Sequence, residues 1–357
     1  MTTTQHIRSS AAAVLLVAAS LLVTLTAALA LTVTPLFAVE SAFAASARQA
    51  GSTYPWPVKP FDQPHPIRGS FGDPRTLFFG PPTDRTLLAG TGSFTFHTGV
   101  DISAPDGTAV YPVESGTVSS VSFDWIAVGG GGRTFQYWHI ASSVSVGQHV
   151  DAQTTVLGHI LRGSGHVHLT EIDNGIMVNP LAPGHLSPYR DTTVPTVASV
   201  LIRKNVTGKD EMPDFVRGSV ELLASVYDMP TLQVPGAWRN LPVTPALVTW
   251  QISRADTGKI VVPSQIAYDV RDHLPAPSAF WQVYARGTHQ NMAVFGKHYS
   301  YMQPGTYLLR LTPGGFDTRK LTDAVYDLTV TATDIRGNHS SRVQRFSVHN
   351  RPGVSGV

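Results

Sequence analysis

Apolar residues follow two patterns along the chain. The first is one long run, residues 11–39, which is preceded by His6 and Arg8 and followed by the small-residue sequence Ala42-Phe43-Ala44. A basic start, an apolar run and a small-residue cleavage site are typical of an export signal, and this run is also long enough to span a bilayer. Residues 1–45 are therefore predicted to be a signal peptide or an uncleaved hydrophobic helix that anchors the protein in the membrane. Both predictions put the rest of the chain outside the cytoplasm, secreted or associated with the cell wall.

The second pattern consists of short runs rich in Val, Ser and Thr that are bounded by Gly or Pro. Clear examples are residues 109–113, 117–121 and 143–146. Such runs are typical of β-strands, and helical periodicity is scarce after residue 45. The pattern predicts an all-β fold built from antiparallel sheets.

A polar, Pro-containing stretch at residues 187–194 marks a domain boundary. Strands are predicted after it at residues 197–202, 219–226, 246–252, 324–333 and 343–348. The last two, joined by a turn at residues 334–338, resemble the final hairpin of an immunoglobulin-like β-sandwich. The prediction is an export segment at 1–45, a first domain at 46–190 and a sandwich at 191–357.

An irregular segment, residues 269–318, interrupts the strands of the second domain. It contains the aromatic sequences FWQVY at residues 280–284 and YSY at residues 299–301. These rings could face a glycan or contact the first domain. Because each aromatic ring must bury a large apolar area, packing in the core is the favoured interpretation.

Composition narrows the classes of partner and of chemistry. The 357 residues contain 26 Lys and Arg against 24 Asp and Glu, a formal charge of +2, which gives no electrostatic footprint for nucleic acid. There is no cysteine, so disulfides, thiolate catalysis and Cys-bound zinc are all excluded. The oligomeric state is left open.

Histidine and aspartate offer a different metal site. His97 and Asp101 are separated by Gly99, which we expect to bend the chain so that both side chains approach one ion. His166 and His168 alternate along a predicted strand and share one face, so one can bind a metal while the other reaches a metal-bound water. Three such side chains are a typical catalytic zinc set, although surface histidines can also produce such short patterns.

The context of these residues resembles the lysostaphin-type zinc endopeptidases, also called LytM or M23 peptidases. The ordered landmarks are Phe71-Gly72, Arg75, residues 97–102 (HTGVDI), 105–110 (PDGTAV), 116–118 (GTV), 137–140 (YWHI), 146–150 (VGQHV), 165–168 (GHVH), Gly175 and residues 178–180 (VNP). The resemblance implies that His97, Asp101 and His168 bind Zn²⁺. It also implies that His139 and His166 are catalytic histidines that do not bind the metal, and their division of labour is left open.

One position departs from the family pattern. The glutamate expected two residues after His168 is replaced by Thr170, and Glu171 follows one place later. Alternation along a strand would turn the Glu171 carboxylate to the opposite face. A supporting role for Glu171 at the metal site is therefore not expected.

The resemblance implies a zinc-dependent endopeptidase that hydrolyses peptide bonds in bacterial cell-wall peptidoglycan. Cross-links or stem peptides are the expected substrates, with direct cross-links favoured, although nothing in the sequence of the groove excludes glycine bridges. The principal alternative is a catalytically silent relative that binds peptidoglycan or activates another wall hydrolase, and a second is a wall-binding protein whose C-terminal domain does the main work. Because His97, Asp101, His139, His166 and His168 are all present, the enzyme is the favoured hypothesis.

Overall fold

The computed structural model describes residues 53–78, 92–205, 208–293 and 302–350. Residues Gln49–Val357 form one compact unit. The predicted export segment, 1–45, lies outside the described residues, and no helix within the described ranges is long and apolar enough to cross a membrane. The fold is almost entirely antiparallel β-sheet, which confirms the predicted all-β class.

The first half of this unit contains thirteen strands in the part of the chain that the structure describes. They are β1 (Ile67–Gly69), β2 (Pro74–Phe78), β3 (Gly92–Phe96), β4 (Val100–Ser103), β5 (Ala109–Val110), β6 (Gly116–Val121), β7 (Trp125–Gly130), β8 (Arg133–Trp138), β9 (Ile140–Ser142), β10 (His149–Val150), β11 (Gly158–Ile160), β12 (His166–Asp173) and β13 (Ile176–Val178). One predicted strand, at residues 143–146, is wrong. Strand β9 ends at Ser142 because its hydroxyl bonds both the N–H and the carbonyl of Val144 and so turns the chain.

The main sheet has the strand order β1-β4-β12-β8-β7-β6-β10, with β13 also paired to β12. A second sheet, β5-β11-β9, contributes to the same core. At the centre, Asp101 lies between Gly69 and His168, and His168 lies between Asp101 and Trp138. These four residues form a row across β1, β4, β12 and β8, which we call the central row.

The second half contains two further sheets. Its strands are β14 (Thr196–Lys204), β15 (Ser219–Tyr227), β16 (Leu247–Arg254), β17 (Ile260–Asp269), β18 (Met292–Ala293), β19 (Met302–Gln303), β20 (Leu308–Arg310), β21 (Phe316–Asp317), β22 (Val325–Thr333) and β23 (His339–Ser347). Short helical turns are α1 (Phe280–Val283) and the 3₁₀ segments Gly236–Trp238, Pro277–Ala279 and Thr318–Lys320. One sheet has the order β14-β15-β20, with β21 on β15, and the other has the order β17-β16-β22-β23.

The predicted final hairpin is confirmed. Strands β22 and β23 pair along their whole length from Val325–Ser347 to Thr333–His339, and residues 334–338 form the turn. Asp334 stabilises this turn by accepting hydrogen bonds from the N–H groups of Arg336 and Asn338. Its short side chain therefore acts as the local turn former that the sequence indicated.

The two halves share a continuous core rather than meeting at a thin contact. The hydroxyls of Tyr268 and Tyr284 both donate to the carbonyl of Gly72, at 3.0 and 2.9 Å. The Phe280 ring packs 5.5 Å from the Phe96 ring. The irregular segment of the second half thus contacts the first half. Phe280 and Tyr284 are core residues as predicted, whereas Trp281 is 40% exposed and departs from that prediction. Residues 299–301 lie outside the described residues.

Three carboxylates meet in the second half, close to the chain that links it to the first. Asp191 lies in the linker, Asp228 follows β15 and Asp334 lies in the final turn, and oxygens of all three lie within 4.8 Å of one another. Asp228 is 3% exposed. Burial, together with the charges of Asp191 and Asp334, raises its pKa to about 7.

This raised pKa predicts a pH dependence of stability. Between the unfolded-state pKa of about 3.9 and the folded-state value, the folded protein holds a proton that the unfolded chain has lost, so the unfolding free energy falls as the pH rises. The Asp228→Asn side chain cannot ionise and should remove up to about 4 kcal/mol of that fall. Urea unfolding across this pH range in EDTA measures it. Equal pH slopes for parent and variant would contradict the prediction.

Candidate metal centre

Strand pairing brings the predicted ligands to one point. Asp101 and His168 face each other directly across β4 and β12, and His97 precedes β4 by three residues. The chain bends at Gly99, where an added Cβ atom would lie 2.1 Å from the carbonyl oxygen of Leu169. Glycine is therefore required for this close approach, and the bend brings His97 to Asp101 as the sequence indicated.

The three donor atoms are close together and buried. His97 Nε2 lies 2.7 Å from His168 Nδ1 and 3.1 Å from Asp101 Oδ1, and His168 Nδ1 lies 3.0 Å from the same oxygen. Tetrahedral zinc with bonds of about 2.0–2.1 Å separates its ligand atoms by about 3.3 Å. The spacing of these atoms is therefore close to that of one coordination sphere, and the group can hold a metal ion.

Each of the two imidazoles has one outer nitrogen, which points away from the three donor atoms and already has a hydrogen-bond partner. The position of the ring protons therefore shows whether a cation fits between the inner nitrogens. His97 Nδ1 lies 2.8 Å from the carbonyl oxygen of Ser70 and must donate its proton there, because a carbonyl only accepts. His168 Nε2 lies 2.7 Å from Thr170 Oγ1, which can accept in the same way. The inner nitrogens, His97 Nε2 and His168 Nδ1, then carry lone pairs that face each other and the carboxylate of Asp101. Such an arrangement fits a cation between them.

Electrostatics favours the ligand forms of these side chains. Burial lowers the pKa of His97 to about 3 and also lowers the pKa of His168, so both imidazoles are neutral at neutral pH. Burial alone would raise the pKa of Asp101. The interaction with His97 and the charge of Arg75 outweigh that effect and hold the pKa of Asp101 well below its usual range. Arg75 Nη2 lies 2.6 Å from Asp101 Oδ2, which leaves Oδ1 for a metal.

The two remaining predicted histidines lie beside this group. The rings of His139 and His166 are 4.5 Å apart, and His166 Nε2 is 3.5 Å from Asp101 Oδ1. His139 has a left-handed backbone conformation with φ of 65°, which is uncommon for a residue other than glycine and is often found at functional sites. Burial and the neighbouring His166 lower the pKa of His139 to about 4. The structure thus brings all five predicted residues together.

Glu171 and Thr170 are placed as strand alternation predicted. The Glu171 carboxylate faces away from the centre, where it accepts hydrogen bonds from Tyr54 and from His185 Nδ1. Thr170 instead faces the centre and orients His168. An uncharged hydroxyl therefore occupies the supporting position where the resemblance implies a carboxylate.

The centre lies in an open cleft, and the second half of the chain forms part of its wall. Trp238, Gln290 and Asn291 line the cleft together with Arg68 and Trp138 of the first half. Sequence reasoning assigned none of these five residues to the site. Trp238 carries no motif signal, because its 3₁₀ segment reaches the cleft only through tertiary packing.

Comparison with known proteins gives matches among solved structures. No family model matches the chain, and no curated protein sequence does. The similar solved structures include M23 peptidases. They include Helicobacter pylori Csd3 (20% identity, 40% of this chain and 37% of that chain, TM-score 0.27), the deep-sea M23 metalloprotease pseudoalterin (19%, 39% and 80%, 0.26) and lysostaphin from Staphylococcus simulans (15%, 54% and 95%, 0.22). The first match spans little more than a third of Csd3. At these identities and TM-scores the similarities carry no argument about activity.

The hydrogen bond from His168 to Thr170 predicts a measurable effect on metal affinity. Thr170→Val keeps the shape of the side chain and removes the acceptor that orients the imidazole, so Zn²⁺ should bind about 10- to 100-fold more weakly. Competition with a chromophoric chelator measures this affinity. The matched control is Thr117→Val, at an exposed position in β6, which should bind zinc like the parent. Unchanged affinity in Thr170→Val would contradict the assigned role.

Proposed function

We propose that the chain is a zinc-dependent endopeptidase that cleaves peptide bonds of bacterial peptidoglycan. One observation carries the proposal: three buried donor atoms, from His97, Asp101 and His168, converge within 3.1 Å while the outer nitrogens of both imidazoles are bonded elsewhere. Two imidazoles and one carboxylate form a set typical of catalytic zinc, with a fourth position left for water or substrate.

The three ligands and two neighbouring histidines divide the work. When bound, zinc lowers the pKa of water toward neutrality and polarises the scissile carbonyl. Asp101 contributes Oδ1 to this site because Arg75 holds its other oxygen. Ser70 and Thr170 fix the two imidazole rings, so that few rearrangements are needed before reaction.

His166 is the proposed proton acceptor. Its Nδ1 donates to the carbonyl of Ser164 at 2.7 Å, so the proton of the neutral ring is on Nδ1 and the lone pair is on Nε2. Nε2 lies 3.5 Å from Asp101 Oδ1 and accepts a hydrogen bond from Arg68 Nη2 at 3.3 Å, and it would take the proton of the attacking water once Arg68 bonds another acceptor. His139 is neutral at neutral pH and would donate its remaining N–H to the developing oxyanion.

Substrate class and location follow from the landmark sequences and the N-terminal pattern. An exported wall peptidase requires a domain outside the cytoplasm, and residues 1–45 have the features of an export segment or membrane anchor. Cross-links and stem peptides are the proposed substrates.

We also propose that residues 46–190 are the peptidase domain and residues 191–357 an immunoglobulin-like sandwich. The strand orders β14-β15-β20 and β17-β16-β22-β23, all antiparallel, support this topology.

Fragment release tests the activity directly. Residues 46–357 with zinc should release soluble fragments with new peptide termini from purified peptidoglycan, while His168→Ala, which lacks one ligand, should release none. Mass spectrometry identifies the bond. His159→Ala, at an exposed position in β11, is the matched histidine control and should retain full activity. No release from sacculi of several cross-link types, with zinc bound, would favour a silent protein that binds the wall or activates another hydrolase.

The two histidines outside the ligand set should separate catalysis from metal binding. His139→Ala and His166→Ala are each expected to keep one equivalent of zinc and to lower kcat by about 10²- to 10⁴-fold, because each removes a proton-transfer or oxyanion-stabilising group. Zinc content and kcat measured on the same preparations check this. Loss of zinc from either variant would place that histidine among the ligands instead.

A further inference from the structure

Two arginines line the metal cleft, and their surroundings differ. Arg75 Nη2 lies 2.6 Å from Asp101 Oδ2, and its Nη1 lies 3.9 Å from Asp73 Oδ2, so two carboxylates balance its charge. Arg68 forms no ion pair within 4.0 Å in the described ranges. Its Nη2 donates a hydrogen bond to His166 Nε2 at 3.3 Å, and its Nε is buried without a hydrogen-bond partner.

The carboxylates whose charges act on Arg68 are engaged elsewhere. Asp106 accepts from the N–H groups of Gly163 and Gly165 at 2.7 and 2.8 Å, and Asp101 belongs to the metal ligand set. A partly buried guanidinium with no carboxylate partner is costly, because charges taken out of water are normally paired. Its position in an open cleft leaves the substrate as the natural partner.

The second half of the chain holds this guanidinium in place. Arg68 Cζ lies 4.2 Å from the centre of the Trp238 ring, within the range of a cation–π contact. An aromatic ring against one face leaves the edge of the planar guanidinium for hydrogen bonding. A fixed guanidinium edge matches the two oxygens of a carboxylate better than any neutral group.

We propose that Arg68, held by Trp238, binds a free carboxylate of the substrate beside the cleaved bond. This inference rests on the proposed peptidase and narrows its substrates to anionic peptides, which disfavours uncharged glycine bridges. His166 Nε2 lies 3.3 Å from Arg68 Nη2 and 3.5 Å from Asp101 Oδ1, so Arg68 is two short contacts away from the candidate metal position. Since a peptide extends about 3.3–3.6 Å per residue, the carboxylate lies within about two residues of the scissile carbonyl.

Binding is measured separately from cleavage to test this site. Calorimetry measures the affinity of the zinc-loaded His139→Ala variant, which should bind fragments without cleaving them. The ligands are soluble peptidoglycan fragments with free carboxylates and the same fragments after chemical amidation. Amidation should weaken binding about tenfold or more. Adding Arg68→Gln should weaken binding of the free-carboxylate fragments by the same factor and abolish the effect of amidation, whereas Arg68→Lys should restore it in part. Arg239→Gln, an exposed arginine beside Trp238, is the matched control.

Trp238 is a positioning residue, and its variant has a distinct expected result. Trp238→Leu should weaken binding of free-carboxylate fragments more than binding of amidated fragments. A purely structural role would weaken both equally. Two pairs of synthetic competitor peptides then identify the carboxylate: one pair differs in a free or amidated C-terminus, the other in a glutamate or glutamine side chain.

The outcomes separate this site from the proposed activity. Amidation-sensitive binding that depends on Arg68, without cleavage by the parent, would refute the peptidase and support the carboxylate site. If amidation weakens binding equally in proteins with Arg68 and with Arg68→Gln, the carboxylate site is overturned even if the parent cleaves peptidoglycan. Binding of neither fragment, or no difference within either competitor pair, would also overturn it.

Discussion

The register of β4 against β12 is the constraint on which the site depends. It sets Asp101 opposite His168, and the adjoining strands complete the central row with Gly69 and Trp138. Because side chains alternate along a strand, a slip of one residue would turn His168 to the other face and separate it from Asp101. The positions of Asp101 and His168 are therefore specified by backbone hydrogen bonds across four strands, and the loops need only deliver His97 and His139.

Two glycines allow this packing. At Gly69, an added Cβ atom would lie 2.5 Å from Asp101 Oδ2 and 2.8 Å from Arg75 Nη2, so the ion pair of these two residues requires the absence of a side chain there. At Gly99 the obstacle is the backbone of β12 itself. The bend at Gly99 could be predicted from sequence, but the crowding at Gly69 could not, because it depends on which strand lies alongside β4.

Residue spacing and the alternation of side chains along a strand were sufficient for prediction where the contacts are local or lie along one strand. The bend at Gly99 that brings His97 to Asp101, the opposite faces of Thr170 and Glu171, and the final hairpin are of this kind. The contribution of Trp238 to the cleft could not be predicted in this way. Its contact with Arg68 joins residues 170 positions apart and leaves no periodicity or motif in the sequence. The strand predicted at residues 143–146 failed for a different reason, since the side chain of Ser142 bonds the backbone of Val144 and competes with the sheet ladder.

The carbonyl of Gly72, which accepts from Tyr268 and Tyr284, affects how the chain can be divided. An enzyme and a binding module joined by a linker can be separated or exchanged, because each keeps its own surface. Here removal of the second half would strip partners from a buried carbonyl and uncover Phe96, which is 1% exposed. One wall of the cleft would leave at the same time. The C-terminal half is therefore part of the folded support of the cleft, and substitutions in its interior can change the shape of the cleft without touching His97, Asp101 or His168.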